Sequence, residues 1–363
     1  MAQPSTKMKP RFRAFRPALI ALILAFLVVL TTGCLGYLAR AGCGQAQILL
    51  GREPINEVIA DPETPEEVRR KLEHVERVRT FANEHLGLRA GETYTTYTFT
   101  GRDAAAYNVT ASEPLRLEAH TWWFPVVGSV PYLGYFSREE AQEKADALSR
   151  EGFDVLVSDV PAYSTLGWFD DPLLSSQMSY SDVYLTHLVI HESAHRTLWF
   201  PGDVSFNESF ASFVEREGAL QFYRENGQDE VAGRLIELRA EQARLNVLFR
   251  EYALQLETLY QSGRERQALL EGKTAIIEQF RSELLRQAPT FRILRLEEMA
   301  GTDFNNAHFL QYLRYSGGSG FFARQFAGCA GSWPCFFDRM TKLVDLSPED
   351  RRALLEANPL TEP

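Results

Sequence analysis

Between Ser181 and Leu198 the chain carries Val183, Leu185, Leu188, Val189 and Ile190 at helical spacing, and the run closes with His191, Glu192, Ser193, Ala194 and His195. A helix this apolar has to be buried. It nevertheless takes two imidazoles and a carboxylate with it, and buried polar groups are tolerated only with partners. The rest of the chain must therefore cover the helix and give those three side chains something to bind. Residues four apart share a helix face, so His191 and His195 converge on one point with Glu192 beside it. That spacing fits metal-assisted hydrolysis, in which the ion acidifies water and polarises a carbonyl while the carboxylate takes the proton. The expectation is His191 and His195 as metal ligands and Glu192 as catalytic base. The plain alternative is two packed histidines, because three fixed positions in five recur by chance.

The next carboxylates supply a third ligand. Pro201-Gly202 ends the apolar run, and a second helix is expected to open near Ser205, with Asn207-Glu208-Ser209-Phe210-Ala211 at its start. Glu208 has a bland reading as the capping-box partner of Ser205. Glu215, on the same face of that helix, could orient a ligand histidine from behind or be the ligand itself. His187, four residues before His191, reads as a surface histidine or as support for the site. The segment resembles the gluzincin metallopeptidases, in which a glutamate of this kind is the third ligand and water the fourth. The resemblance implies Glu208 as ligand and one zinc ion as cofactor. Those enzymes often carry a carboxylate four residues after the ligand, a place held here by Ser212.

The N-terminus sets topology. Lys7, Lys9, Arg11, Arg13 and Arg16 precede a stretch from Pro17 to Ala39 without a charged side chain. Its most apolar part, Ala18 to Leu30, has the length of a signal-peptide core, so a retained anchor and a cleaved signal both stay open. Either way the charge asymmetry predicts that everything after Arg40 lies on the non-cytoplasmic side, and the expectation is a membrane-anchored protein. Thr31-Thr32-Gly33-Cys34 has the small residues of a lipoprotein signal, although Leu30 stands one position early. Cys329 and Cys335 bracket a turn-rich loop that could close as a disulfide in an oxidising compartment. The formal net charge of −10 and the lack of a basic cluster beyond the N-terminal segment exclude a nucleic-acid partner.

Elsewhere the patterns are ordinary. Thr64-Pro65-Glu66-Glu67 marks a helix start running toward Leu86, and Ser137-Arg138-Glu139-Glu140 another running to Arg150. Segments 92–100, 106–110, 117–124 and 126–135 read as short strands of a small sheet, and Phe153 to Val157 as a further strand. Leucines at three- and four-residue steps from Leu235 to Leu259, then a second run over 264–288, predict a helical hairpin packed on the catalytic helices.

Longer blocks carry a family likeness. His191 through Ala211, together with Trp123-Phe124-Pro125-Val126-Val127-Gly128, Gly134-Tyr135-Phe136 and Pro161 through Leu174, resemble the bacterial family of predicted zinc aminopeptidases. The likeness runs from about residue 37 to 345, with Ser193 and Arg196 as departures that touch no ligand atom. It implies a peptide substrate.

A peptidase also needs an oxyanion donor. Tyr163, Tyr312, Tyr315 and His308 are candidates, with Tyr163 preferred because it lies in a turn-rich stretch ahead of the metal helix. Asp170 and Asp171 are candidates for binding a substrate amine. The expected fold is α+β: a mainly helical, gluzincin-like metallopeptidase with a small β-sheet and an N-terminal membrane segment. The anchor occupies 1–40 and one domain 41–363, with its sheet part at 88–160, metal helices at 181–225 and hairpin at 229–289. A catalytically silent envelope assembly protein with a structural metal site, or a scaffold without metal, would use the same residues differently.

Overall fold

The computed structural model describes residues 34–124, 128–160, 171–314 and 319–356. The chain divides into two units, Met1–Leu50 and Gly51–Pro363. In the first, the described part is helix α1, Cys34–Leu50. It runs through position 40, where the sequence places the end of the anchor. No proline stops it, and isolated glycines such as Gly42 and Gly44 are tolerated in a helix. Most of the charge-free stretch 17–39 lies outside the described residues. Among the described residues no helix is long and apolar enough to cross a membrane.

The second unit opens with β1 (Arg52–Pro54), α2 (Ile55–Ala60), α3 (Glu66–Glu84), β2 (Thr96–Thr98) and β3 (Ala106–Ser112). It continues through β4 (Trp122–Phe124), β5 (Gly128–Val130), β6 (Leu133–Tyr135), α4 (Arg138–Arg150), β7 (Asp154–Val160) and β8 (Leu173–Leu174). Helices then dominate: α5 (Asp182–Thr197), α6 (Val204–Glu225), α7 (Asp229–Tyr260), α8 (Arg266–Gln287) and α9 (Leu296–Ala300). The last four are α10 (Asn306–Arg314), α11 (Ser319–Ala327), α12 (Trp333–Thr341) and α13 (Pro348–Glu356). The fold is α+β and mostly helical.

In place of the one sheet expected, three small ones form among the described residues. β2 pairs antiparallel with β1 and parallel with β8, β3 lies between antiparallel β6 and β7, and β4–β5 is a separate hairpin. Only β3 and β7 reach seven residues; the others hold two or three, too few to share one ladder. The β3–β7 register runs from Ala106 opposite Val160 to Ser112 opposite Asp154, with α4 packed on one face through Ala141, Ala145 and Leu148. Ser137 caps α4 as its sequence predicts, its hydroxyl accepting from the Glu140 N–H at 3.2 Å. Thr64 does not cap α3. Pro65 takes the N-cap position, and the Thr64 hydroxyl donates to the Val58 carbonyl at 2.7 Å.

Two cores organise the helices. The first joins α3, α5 and α6 with the C-terminal helices through Val75, Leu185, Val189, Ile190, Phe206, Phe210 and Phe336. α5 and α6 approach closely at Gly218, where an added Cβ would come within 3.1 Å of Ile190 and 2.7 Å of Leu86. The second core belongs to the α7–α8 hairpin: Leu245, Leu248, Phe249, Leu256, Phe280 and Leu284 pack with Phe291, Phe304 and Phe309. The hairpin thus differs from expectation. Among the described residues, only the start of α7, through Val231, Ala232 and Leu235, joins the core that α5 and α6 share. Its remaining apolar face is covered by the chain that follows it. Cys329 and Cys335 form a disulfide.

Candidate metal centre

The site begins with the cap of α5. The Ser181 hydroxyl accepts from the Tyr184 N–H at 3.2 Å, and Leu185, Leu188, Val189, Ile190 and Ala194 bury the helix. That burial fixes the rotation of α5 and turns His191 and His195 to one side. Their rings meet edge to face at 4.7 Å, and their Nε2 atoms stand 3.0 Å apart. The Trp199 ring packs edge-on to His195 at 5.5 Å.

α6 delivers the third group. Its N-cap is Asp203, whose Oδ1 accepts from the Phe206 N–H at 3.0 Å, so Ser205 lies inside the helix and Glu208 is not its capping partner. Glu208 Oε2 lies 3.5 Å from His191 Nε2 and Oε1 lies 3.5 Å from His195 Nε2. The ligand atoms of His191, His195 and Glu208 all fall within 4.8 Å of one another, a set that could hold a metal ion.

The donor chemistry fits a cation. His191 Nδ1 donates to Glu215 Oε2 at 2.6 Å, so that whenever the ring is neutral its Nε2 lone pair faces His195 and Glu208. Two Nε2 atoms at 3.0 Å need a proton or a metal between them. Burial disfavours a charged His191, but Glu215, Glu208 and Glu192 outweigh it and push its imidazole up. The same balance runs in reverse for the acids. Burial opposes the charge of Glu215, yet His191 and His187 hold it down at about 2. Burial also opposes Glu208, and hydrogen bonds from His191 and His195 hold it well below the usual carboxylate range. Three protein donors leave a tetrahedral ion one open position.

The sequence-derived candidates fare differently. Glu192 is buried on α5, beside His191 in sequence. His187 Nδ1 lies 3.6 Å from Glu215 Oε1, so Glu215 sits between two histidines. Asp171 is buried, and its carbonyl accepts from the Tyr94 N–H at 3.0 Å. Tyr163, Asp170 and Tyr315 lie outside the described residues. Tyr312 and His308 belong elsewhere: Tyr312 stacks on Phe249 in the hairpin core, and His308 lies against Phe304 and hydrogen-bonds Asn305.

Two contributors escaped the sequence reading. Tyr94 is 2% exposed and has φ 58°, a left-handed backbone that a bulky residue adopts only under constraint. Burial chiefly, then the Glu192 and Asp171 carboxylates, push its phenol up, so the side chain sits within electrostatic reach of both acids. Asn207 is the other. Its side-chain amide donates to the Phe200 and Asp203 carbonyls, each at 2.8 Å, and its Oδ1 accepts from the Phe200 N–H at 2.9 Å. It thereby pins the turn between α5 and α6, next to Glu208 in sequence. For Asn207 the signal was its position in the Asn-Glu pair; for Tyr94 there was none.

Among curated proteins and among solved structures, none matches the chain. A protein family does: residues 36–355, most of the chain, match the one described as "Putative aminopeptidase", and the chain belongs to that family.

Proposed function

We propose that the protein is a zinc-dependent aminopeptidase of the gluzincin type, with His191, His195 and Glu208 holding one zinc ion and Glu192 as general base. The observation that carries this reading is the convergence of those three ligand groups within 4.8 Å, backed by Glu215 on the far nitrogen of His191. Two imidazoles and a carboxylate with one open position suit zinc, whose catalytic sites use three protein ligands. When bound, the ion supplies Lewis-acid chemistry, acidifying water and polarising a carbonyl.

The chain's own groups do the rest. His191 is locked in the tautomer that offers Nε2, because the Glu215 carboxylate accepts the hydrogen bond from its Nδ1–H. Glu192 accepts a proton from the attacking water and returns it to the departing amine as the C–O bond forms and the C–N bond breaks. Asp170 and Asp171 are assigned to the substrate ammonium; for Asp171 the support is that its carboxylate and that of Glu192 act on the same Tyr94 phenol. Tyr163, from the stretch ahead of Asp171, is assigned to the oxyanion. We place the domain outside the cytoplasm behind the N-terminal segment, a reading favoured by the basic residues before 17–39 and by the Cys329–Cys335 disulfide.

The test joins metal content to peptide cleavage. Wild type should carry one zinc per chain and release the first residue of peptides with a free, but not an acetylated, N-terminus. Glu192→Gln should keep the zinc and lose about 10²–10⁴ in kcat. Glu208→Ala should lose the metal. Wild-type turnover by Glu192→Gln would overturn the base, and cleavage insensitive to chelators by metal-free protein would overturn the whole reading.

A further inference from the structure

Helix α13 reaches back to the turn that joins the two metal helices. Arg351, 1% exposed, points its guanidinium into that turn. Nη2 donates to the Pro201 carbonyl at 2.6 Å, and Nε lies 3.4 Å from Asp203 Oδ2. Nη1 donates to the carbonyls of Leu346 at 2.6 Å and Val344 at 3.1 Å. The rings of Phe200 and Phe206 flank the cation at 5.8 and 6.0 Å. Every edge of a planar, five-donor fork is thus engaged, an arrangement that a single ammonium cannot reproduce.

The contacts matter because of what lies one turn away. Asp203 is the N-cap of α6, and Glu208 sits on that helix a little over one turn in. Asp203 Oδ1 holds the helix start while Oδ2 faces Arg351, so the carboxylate couples the clamp to the helix that carries Glu208. Metal–ligand distances tolerate only ~0.2 Å. A small shift at the start of α6 is therefore felt at the ligand.

We infer that Arg351 is a positioning residue for the metal site: by clamping Pro201 and Asp203 it sets the start of α6 and holds Glu208 in register with His191 and His195. The inference rests on the metal reading proposed above.

Cobalt(II) titration of the metal-free protein, read by its visible absorption, tests both and separates them. Wild type should bind with the spectrum of a low-coordinate N/O site. Arg351→Lys, and independently Asp203→Asn, which keeps an N-cap acceptor but drops the ion pair, should each weaken cobalt binding about 10- to 100-fold and alter the spectrum. Guanidinium added to Arg351→Ala should partly restore both. Leu284→Ala, in the hairpin core, should lower Tm and leave cobalt affinity and spectrum unchanged. Folded Arg351→Lys with wild-type affinity and spectrum overturns the inference alone, as does a Leu284→Ala spectrum that shifts in step with its Tm. If Arg351→Lys does not fold, Asp203→Asn decides by the same readings. Wild type that takes up no cobalt overturns the metal reading itself.

Discussion

His191 is gripped from two sides: Nε2 faces His195 and Glu208, and Nδ1 donates to Glu215 at 2.6 Å. The second contact decides the first, because the proton on Nδ1 is what leaves Nε2 free to accept. Glu215→Gln should keep an acceptor for that proton but remove the charge that polarises the ring. The expected outcome is an about 10- to 100-fold loss of zinc affinity, measured by competition with a chromophoric chelator. Unchanged affinity would remove Glu215 from the site. At this scale the sequence was informative wherever the chemistry is local. His191, Glu192 and His195 lie within five residues on one helix, and Glu208 and Glu215 share the next, so helical spacing puts His191 with His195 on one face and Glu208 with Glu215 on another. Tyr94 comes from nearly a hundred residues before Glu192 and Arg351 from well over a hundred after Asp203, and nothing in their sequence neighbourhoods announces it. A left-handed backbone is ordinarily flagged by glycine, and at position 94 there is a tyrosine.

Among the elements, the long helices from Glu66 to Gln287 were readable to within a few residues, since apolar period and punctuation agree at Ser181, Ser137 and Pro201-Gly202, whereas α2 and the short helices after α8 were not read. Thr64 misled because a threonine before proline has two uses, and its hydroxyl went to the Val58 carbonyl. The segments read as strands hold or overlap β2 to β7, but β1, β8 and the division into separate sheets could not be read, because strands of two or three residues are defined by their partners and not by their own pattern. One buried polar cluster ties three of the helices. His74 of α3 hydrogen-bonds through Nε2 to Thr186 Oγ1 at 2.9 Å and the Asp182 carbonyl at 3.1 Å on α5, and the Thr186 hydroxyl meets Tyr223 of α6 at 3.0 Å. Burial lowers the pKa of His74; Asp182 works the other way and Arg77 adds to the lowering. The unfolded chain thus protonates first as pH falls. The stability this group contributes is complete above the unfolded value of ~6.5 and is lost as pH drops below it toward the lowered folded value. Urea unfolding of metal-free protein between pH 7.5 and 5 should show a steeper acid loss in wild type than in His74→Gln. Equal slopes would mean that His74 is not neutral in the folded state.

The two helical cores are joined through the start of α7, and the hairpin is fastened to the β3–β7 sheet by a few polar contacts. Lys273 of α8 is bonded to Asp154 at the start of β7 and donates to the Pro114 carbonyl at 3.0 Å. Asp154 also accepts from the Asn306 N–H at 2.9 Å, and the Asn306 side chain takes the Tyr260 hydroxyl at 2.8 Å and donates to the Glu113 carbonyl at 3.1 Å. A knot of this kind fastens hairpin to sheet by satisfying each buried polar group, and its value shows when one member is lost. Lys273→Met keeps the length of the side chain and strands the Asp154 carboxylate, for which the expected cost is about 3–5 kcal/mol in chemical denaturation. Lys273→Met combined with Asp154→Leu should recover much of that, because an apolar pair has no charge to desolvate. Zinc affinity of the folded Lys273→Met protein should stay at the wild-type value, since His191, His195 and Glu208 draw their support from α5, α6 and the other core. A double variant no more stable than Lys273→Met would show that the hairpin is held by geometry around Asn306 and not by the charge pair. A parallel loss of metal would show that the two cores fold and bind as one.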